Sequence, residues 1–213
     1  MNETTTREKI FKSIRNALID KAANPYPDLD FETSVYAPMR ETPDVTFAQE
    51  FTRVAGKFVY CEDRTDLAEK LKYIVSRDKN GEVYCFEQSL KPLLEEHEIP
   101  FIDHAGSLEK VDIGISYCEC LIARLGSVMV SSRQLSGRRL SVLPETHIII
   151  AETSQLVIDI KDAILLLKEK YDNRIPSSVT MITGPSRTAD IEKTLVMGAH
   201  GPRDLYVLLV EAG

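Results

Sequence analysis

From Phe47 onward the chain alternates short apolar runs with stretches whose apolar residues recur at helical spacing, and few folds accept that alternation. Phe58-Val59-Tyr60, Glu82-Val83-Tyr84-Cys85-Phe86 and Phe101-Ile102 read as strands. Between them lie a helical stretch with Leu67, Leu71, Ile74 and Val75 and a shorter one from Leu90 to Glu96. Ile113-Gly114-Ile115, Ser127-Val128-Met129-Val130-Ser131 and His147-Ile148-Ile149-Ile150-Ala151 continue the series of strands. Ile160, Ala163, Ile164, Leu167 and Tyr171 then share one helical face behind Asp159, an N-cap residue, and lead to the β-branched run Ser178–Ile182. Parallel neighbours need a crossover long enough to hold a helix, so strands that alternate with helices predict a parallel sheet. The expected fold class is α/β, a mostly parallel sheet flanked by helices, with ligands at the carboxyl ends of its strands.

The texture before Phe47 is different. Thr5-x-x-Glu8 is a capping box, and Ile10, Phe11, Ile14 and Leu18 follow at helical spacing, which predicts an amphipathic helix over about residues 5–21. Residues 22–46 carry Pro25, Pro27, Pro38 and Pro43 with isolated aromatics Tyr26, Phe31 and Tyr36, and read as an extended arm. The division is thus 1–46, helix and arm, and 47–213, the α/β domain. The apolar face of the helix needs cover, from the outside of the main domain, from a partner protein or from a second copy in a homo-oligomer.

A formal charge of −7 argues against non-specific nucleic-acid binding, which depends on clustered cations neutralising phosphates. Apolar stretches such as Ala163-Ile164-Leu165-Leu166-Leu167 fall far short of the roughly 18 residues of a membrane span, and no secretory signal pattern opens the chain, so a cytoplasmic protein is expected. The four cysteines, Cys61, Cys85, Cys118 and Cys120, lie in or beside strands and read as small buried hydrophobes. Cys118-Glu119-Cys120 would put two thiols on one strand face. Without a second pair it makes neither a metal site nor an iron–sulfur cluster, and no Gly-x-Gly-x-x-Gly supports a dinucleotide. No cofactor is expected.

Residues 183–203 concentrate turn formers, charges and a histidine between the strands Ser178–Ile182 and Leu205–Val210. Ser186 and Thr188 can cap a helix predicted from about Ala189 to Met197, and its first N–H groups with Arg187 would hold an anion. Asp190 and Glu192 can pair with Arg187 or with a ligand. His200, between Gly198 and Gly201-Pro202, is either a ligand contact or a residue that pins the turn. A short connection favours Leu205–Val210 antiparallel to Ser178–Ile182, which would keep His200 near the Ser186–Asp190 loop at the carboxyl edge of the sheet. His147, beside a strand, reads as structural.

Leu143-Pro144-Glu145-Thr146-His147-Ile148-Ile149-Ile150, Gly184-Pro185-Ser186-Arg187-Thr188-Ala189-Asp190-Ile191-Glu192 and Gly198-Ala199-His200-Gly201-Pro202-Arg203 resemble, in order and spacing, the lactate-utilisation (LUD) domain family. The resemblance runs over roughly residues 50–213. It implies a fold like the ribose-phosphate isomerase, glucosamine-phosphate deaminase and CoA-transferase group, with formyltetrahydrofolate cyclo-ligase as another relative. It also implies an accessory role in oxidising L-lactate to pyruvate beside an iron–sulfur lactate-oxidation protein. Where many members resemble Ala-Glu-Thr-Gly, this chain has Ala123-Arg124-Leu125-Gly126, and a guanidinium does not replace an acid in proton transfer. Gly126-Ser127 is kept. Ser131, Ser132, Arg133, Arg138 and Arg139 make the segment after it cationic and hydroxyl-rich, either an anion site or a solvated loop.

The expected ligand contacts are Gly126, Ser127, Gly184, Ser186, Arg187, Thr188, Asp190 and His200, around a small anionic ligand. The alternative to a lactate-utilisation component is a stand-alone enzyme or binding protein for a phosphorylated, nucleotide-like or CoA-linked metabolite.

Overall fold

A computed structural model of the chain describes residues 5–19, 26–28, 30, 36–77, 81–104, 111–191, 194–198 and 200–211, with backbone only for 188–191 and 194–197. Pro25, Phe31, Glu192 and Ala199 lie outside the described residues. The chain divides into two compact units, 1–38 and 39–213. In the first, helix α1 (Thr6–Ile19) starts at the expected capping box: Thr5 N–H donates to the Glu8 carboxylate at 2.8 Å and Glu8 N–H to Thr5 Oγ1 at 3.3 Å. Its apolar residues Ile10, Phe11, Ile14 and Leu18 are all exposed.

The second unit begins with α2 (Pro43–Arg53), whose first turn takes up the last residues of the predicted arm. Pro43 fits there because the opening N–H of a helix has no intrahelical partner. In order follow β1 (Lys57–Cys61), α3 (Arg64–Ser76), β2 (Val83–Cys85), α4 (Lys91–Glu96), β3 (Val111–Tyr117), β4 (Cys120–Ile122), β5 (Ser127–Ser131), β6 (Pro144–Glu152), β7 (Leu156–Val157), α5 (Ile160–Lys170), β8 (Val179–Ile182), β9 (Arg187–Ile191), β10 (Thr194–Met197) and β11 (Asp204–Val210). Phe101-Ile102 forms only a single bridge, Ile102 to Tyr84, next to the chain-bending Pro100.

Five strands, ordered β1-β11-β6-β3-β2, pair in parallel throughout. Both faces are covered, which is why β6 and β11 read as unbroken apolar runs instead of alternating. Ile148, Ile150, Leu208 and Val210 turn towards Leu67, Leu71 and Ile74 of α3 and Leu94 of α4. Ile149, Ala151, Val207 and Leu209 turn the other way, against Phe47 and Phe51 of α2 and against Leu121, Val128 and Val130. Those last three belong to a second sheet, ordered β7-β4-β5-β8, whose far face packs on Ala163 and Leu167 of α5. Asp159 caps α5 as predicted, accepting from Lys161 N–H at 2.8 Å.

Three expectations fail here. Arg187–Ile191 and Thr194–Met197 pair as the antiparallel strands β9 and β10 where a helix was expected, so Ser186 and Thr188 cap nothing. Thr188, Ile191, Thr194 and Val196 are β-branched and lose little χ1 freedom in a strand, and strand-like pairing already starts outside these two strands, where Gly198 N–H donates to Ser186 C=O at 3.1 Å. Next, β8 and β11 are neither parallel nor antiparallel partners, because they belong to different sheets. The turn before β11 therefore lies at the amino edge of the parallel sheet and not at its carboxyl edge. Finally, Cys118 and Cys120 do not share a face: Cys118 packs against the large sheet and Cys120 against α5, because the chain bends at Glu119. Burial pushes both thiols up, Cys120 to about 12, so neither is a ready thiolate.

Candidate functional site at the amino edge of the sheet

The parallel register that sets Asp204 beside Thr146 brings the entrances of β6 and β11 together. Arg203 N–H donates to Glu145 C=O at 2.8 Å, and Ser186 N–H to Pro202 C=O at 2.8 Å. These bonds hold the 198–203 turn against Ser186, where Gly201 has no Cβ to crowd a serine that would lie 3.2 Å away. The result is a cleft of about 470 Å³ lined by Val142, Pro144, Glu145, His200 and Arg203, with the exposed His200 and Arg203 at its wall. An imidazole and a guanidinium can hold a small carboxylate, with Glu145 as the one acid on the same cleft.

The other predicted contacts work elsewhere. Gly126, at φ +55°, sits so close to α2 that a Cβ would come within 2.3 Å of Phe51 N. Ser127 is buried and its Oγ lies 2.8 Å from Thr183 Oγ1. Gly184, at φ +84°, approaches the carbonyl of Val54 to 2.4 Å from where its Cβ would be, and the Arg187 guanidinium donates to that same carbonyl. The C-terminal end of α2 is thus the anchor for Gly126, Gly184 and Arg187. Arg187 opens strand β9, and among the described residues no helix starts there to add its dipole. Thr188 and Asp190 are placed as strand positions in β9, their side chains outside the described residues. Arg124, in the short turn between β4 and β5, donates its backbone N–H to Ile158 C=O at 3.1 Å and is not among the residues lining the cleft.

Two buried groups were less legible. His147 has no exposed surface; its Nε2 lies 2.8 Å from Ser116 Oγ, and burial drives its pKa down to about 4, so the ring is neutral. Glu119 is enclosed by Ser131 Oγ at 2.5 Å, Lys170 Nζ at 2.7 Å and Tyr171 Oη at 2.8 Å. Burial raises its pKa, but those three donors outweigh it and hold the carboxyl below its usual range. The cluster ties the end of α5 to β5. Among the described residues no group of His, Cys, Asp and Glu is arranged to hold a metal.

The model of the LUD domain covers residues 46–210, both sheets and all their connections. The chain belongs to the LUD domain family. It is 32% identical over 151 residues to Lactate utilization protein C of Oceanobacillus iheyensis, covering 67% of this chain and 65% of that protein. It is 27% identical over 176 residues to Lactate utilization protein C of Anoxybacillus flavithermus, covering 76% of this chain and 78% of that protein. With the protein of the same name from Bacillus subtilis it shares 38% identity over 104 residues, only 43% of that protein's length. A crystal structure of a DUF162 family protein from Deinococcus radiodurans shares the fold of this LUD domain, with a TM-score of 0.54 at 19% identity over 79% of this chain and 96% of that one. No described helix is long and apolar enough to cross a membrane.

Proposed function

We propose that this LUD domain serves lactate utilisation as an accessory component beside an iron–sulfur lactate-oxidation protein, with a small anionic ligand held in the cleft between the entrances of β6 and β11. The observation that carries the reading is the match to proteins named Lactate utilization protein C, which in the longer alignments reaches over two thirds or more of the chain. Within the cleft, Arg203 supplies the charge that a carboxylate needs and His200 a second donor. Helix α1, with Phe11 and Ile14 half exposed, offers the partner an apolar face flanked by Arg7, Lys9, Lys12 and Arg15.

The role is tested in the source organism. A strain without this chain should grow poorly on L-lactate and normally on pyruvate, and tagged chain should recover an iron–sulfur protein from its extract. Phe11→Asp should abolish that recovery while leaving the melting temperature unchanged. Normal growth on lactate would refute the role. For the cleft, Arg203→Ala should weaken L-lactate binding by about 1.5–3 kcal/mol, the scale of a charge-assisted hydrogen bond. Arg187→Ala, whose partner is Val54 C=O, should cost stability and leave that affinity within error.

A further inference from the structure

The chain leaves β1 and β2 into α3 and α4 on one face of the large sheet, and β3 and β6 into the second sheet on the other. Such a change of side opens a crevice at the carboxyl ends of the strands, the edge opposite His200. The parallel register levels those ends, with Tyr117 beside Ile150 and Val210 beside Glu152. Between them, the first turn of α3 and the turn leading into α4 lies a slot of about 30 Å³. Its floor is apolar and buried, made by Leu67, Leu90, Ile150 and Val210, and its rim is polar, with Arg64, Ser89, Tyr117 and Glu152. Arg64, Ser89 and Leu93 continue into a wider cleft of about 270 Å³ on the α4 side, so the slot has an open approach.

The polar rim keeps bonding capacity in hand. Ser89 Oγ donates to Tyr117 Oη at 3.4 Å, which leaves the phenol's own O–H to give. Glu152 accepts the N–H of Gln155 and a long bond of 3.5 Å from Ser154 Oγ, and a carboxylate has lone pairs beyond those. Among the described residues neither Arg64 nor Glu152 is in an ion pair, with each other or with a third group. A cation and an anion thus border one slot without closing on each other, and an apolar floor lies beneath them. A plain anion on this rim meets the Glu152 carboxylate, and a plain amine meets Arg64, so both are disfavoured. A molecule that carries both charges and an apolar group satisfies every side of the slot. Size narrows the choice, since a water needs roughly 10–15 Å³ of such space and the floor therefore admits about two or three non-hydrogen atoms. We infer that the slot binds a short apolar α-amino acid of about the size of valine, with its carboxylate on Arg64 and the Tyr117 O–H, its ammonium on Glu152 and its side chain on the apolar floor.

The site is independent of the lactate reading and of the amino-edge cleft. Calorimetric titration of the full chain with L-valine tests it, beside three probes that each lack one part: isovalerate without the ammonium, isobutylamine without the carboxylate, and glycine without the side chain. L-valine should bind saturably, and each probe about tenfold or more weakly, the value of one charge-assisted contact or of a buried isopropyl group. L-phenylalanine, too large for the floor, should not compete. Arg64→Ala should lose about tenfold for valine and nothing for isobutylamine. Glu152→Gln should lose valine by a similar factor and gain isovalerate, because the repelling charge is gone while the cap acceptor stays. No saturable binding of valine, equal affinity for valine and isovalerate, or an unchanged preference between those two in Glu152→Gln would overturn the proposal. The comparison of probes on the parent chain needs no variant, so it decides the matter even where a substitution fails to fold by circular dichroism.

Discussion

Gly126→Ala is expected to destabilise the α/β unit by about 2–5 kcal/mol, although it adds a single methyl group. Two costs combine. The left-handed φ of +55° penalises any residue with a Cβ by roughly 1–2 kcal/mol. The new methyl would also stand 2.3 Å from Phe51 N and 2.4 Å from Glu50 C, backbone atoms of α2 that cannot rotate away. The helix would have to back off, uncovering Phe47 and Phe51, both fully buried and stacked at 5.3 Å, and strain of this kind typically costs a further 1–3 kcal/mol. Gly137→Ala is the control, with nearly the same φ and open space around it, and should cost only the conformational part. Urea unfolding of the two variants separates the contributions, and equal midpoints would show that the contact with α2 carries no weight.

The second large effect is a loss of stability in mild acid that originates at His147. Its pKa falls from 6.5 to about 4 on folding because burial disfavours the imidazolium, so below pH 6.5 the unfolded chain takes up a proton that the folded chain refuses. The neutral ring's contribution is therefore full above pH 6.5 and is lost as pH falls from 6.5 to about 4, about 3 kcal/mol in all at 1.36 kcal/mol per pKa unit. Charging the ring in place would also set a cation among fully buried Ile148 and Ile149. His147→Gln keeps a polar partner for Ser116 without the titration. It should unfold with a flatter dependence on pH across that window, and parallel curves for parent and variant would remove His147 as the cause.

What the sequence made legible, and what it hid, follows the range of the interactions. The α5 cap at Asp159 and the buried run of β6 are written in adjacent residues, so local reading finds them. The β9–β10 segment is ambiguous locally, since Ala189 and Lys193 suit a helix while Thr188, Ile191 and Val196 suit a strand, and the bonds of Ser186 to Gly198 and Pro202, 12 and 16 residues on, go with the strand pairing. Gly126, Gly184 and Arg187 stand out in the sequence, but their shared target, the end of α2, lies more than 70 residues upstream of the nearest of them and carries no motif. Arg64 and Glu152 shared no sequence signal, because two charges on different elements look like surface groups until the paired ends of β3, β6 and β11 set them on one slot.

The strand order carries a consequence for synthesis on the ribosome. The edge strand β1 has one neighbour, β11, and the two meet through residues as far apart as Lys57 and Tyr206, 149 positions along the chain. Until β11 emerges, β1 has no strand to bond and β6 lacks its partner on that side, so the sheet stays split with an open apolar seam between them. Closing so long a loop is slow, and an unpaired apolar strand edge is prone to aggregate. A nascent chain halted just short of Leu205 should therefore hold both edges exposed and depend on a chaperone, and release of the last strand is the step that makes the domain safe to leave unattended.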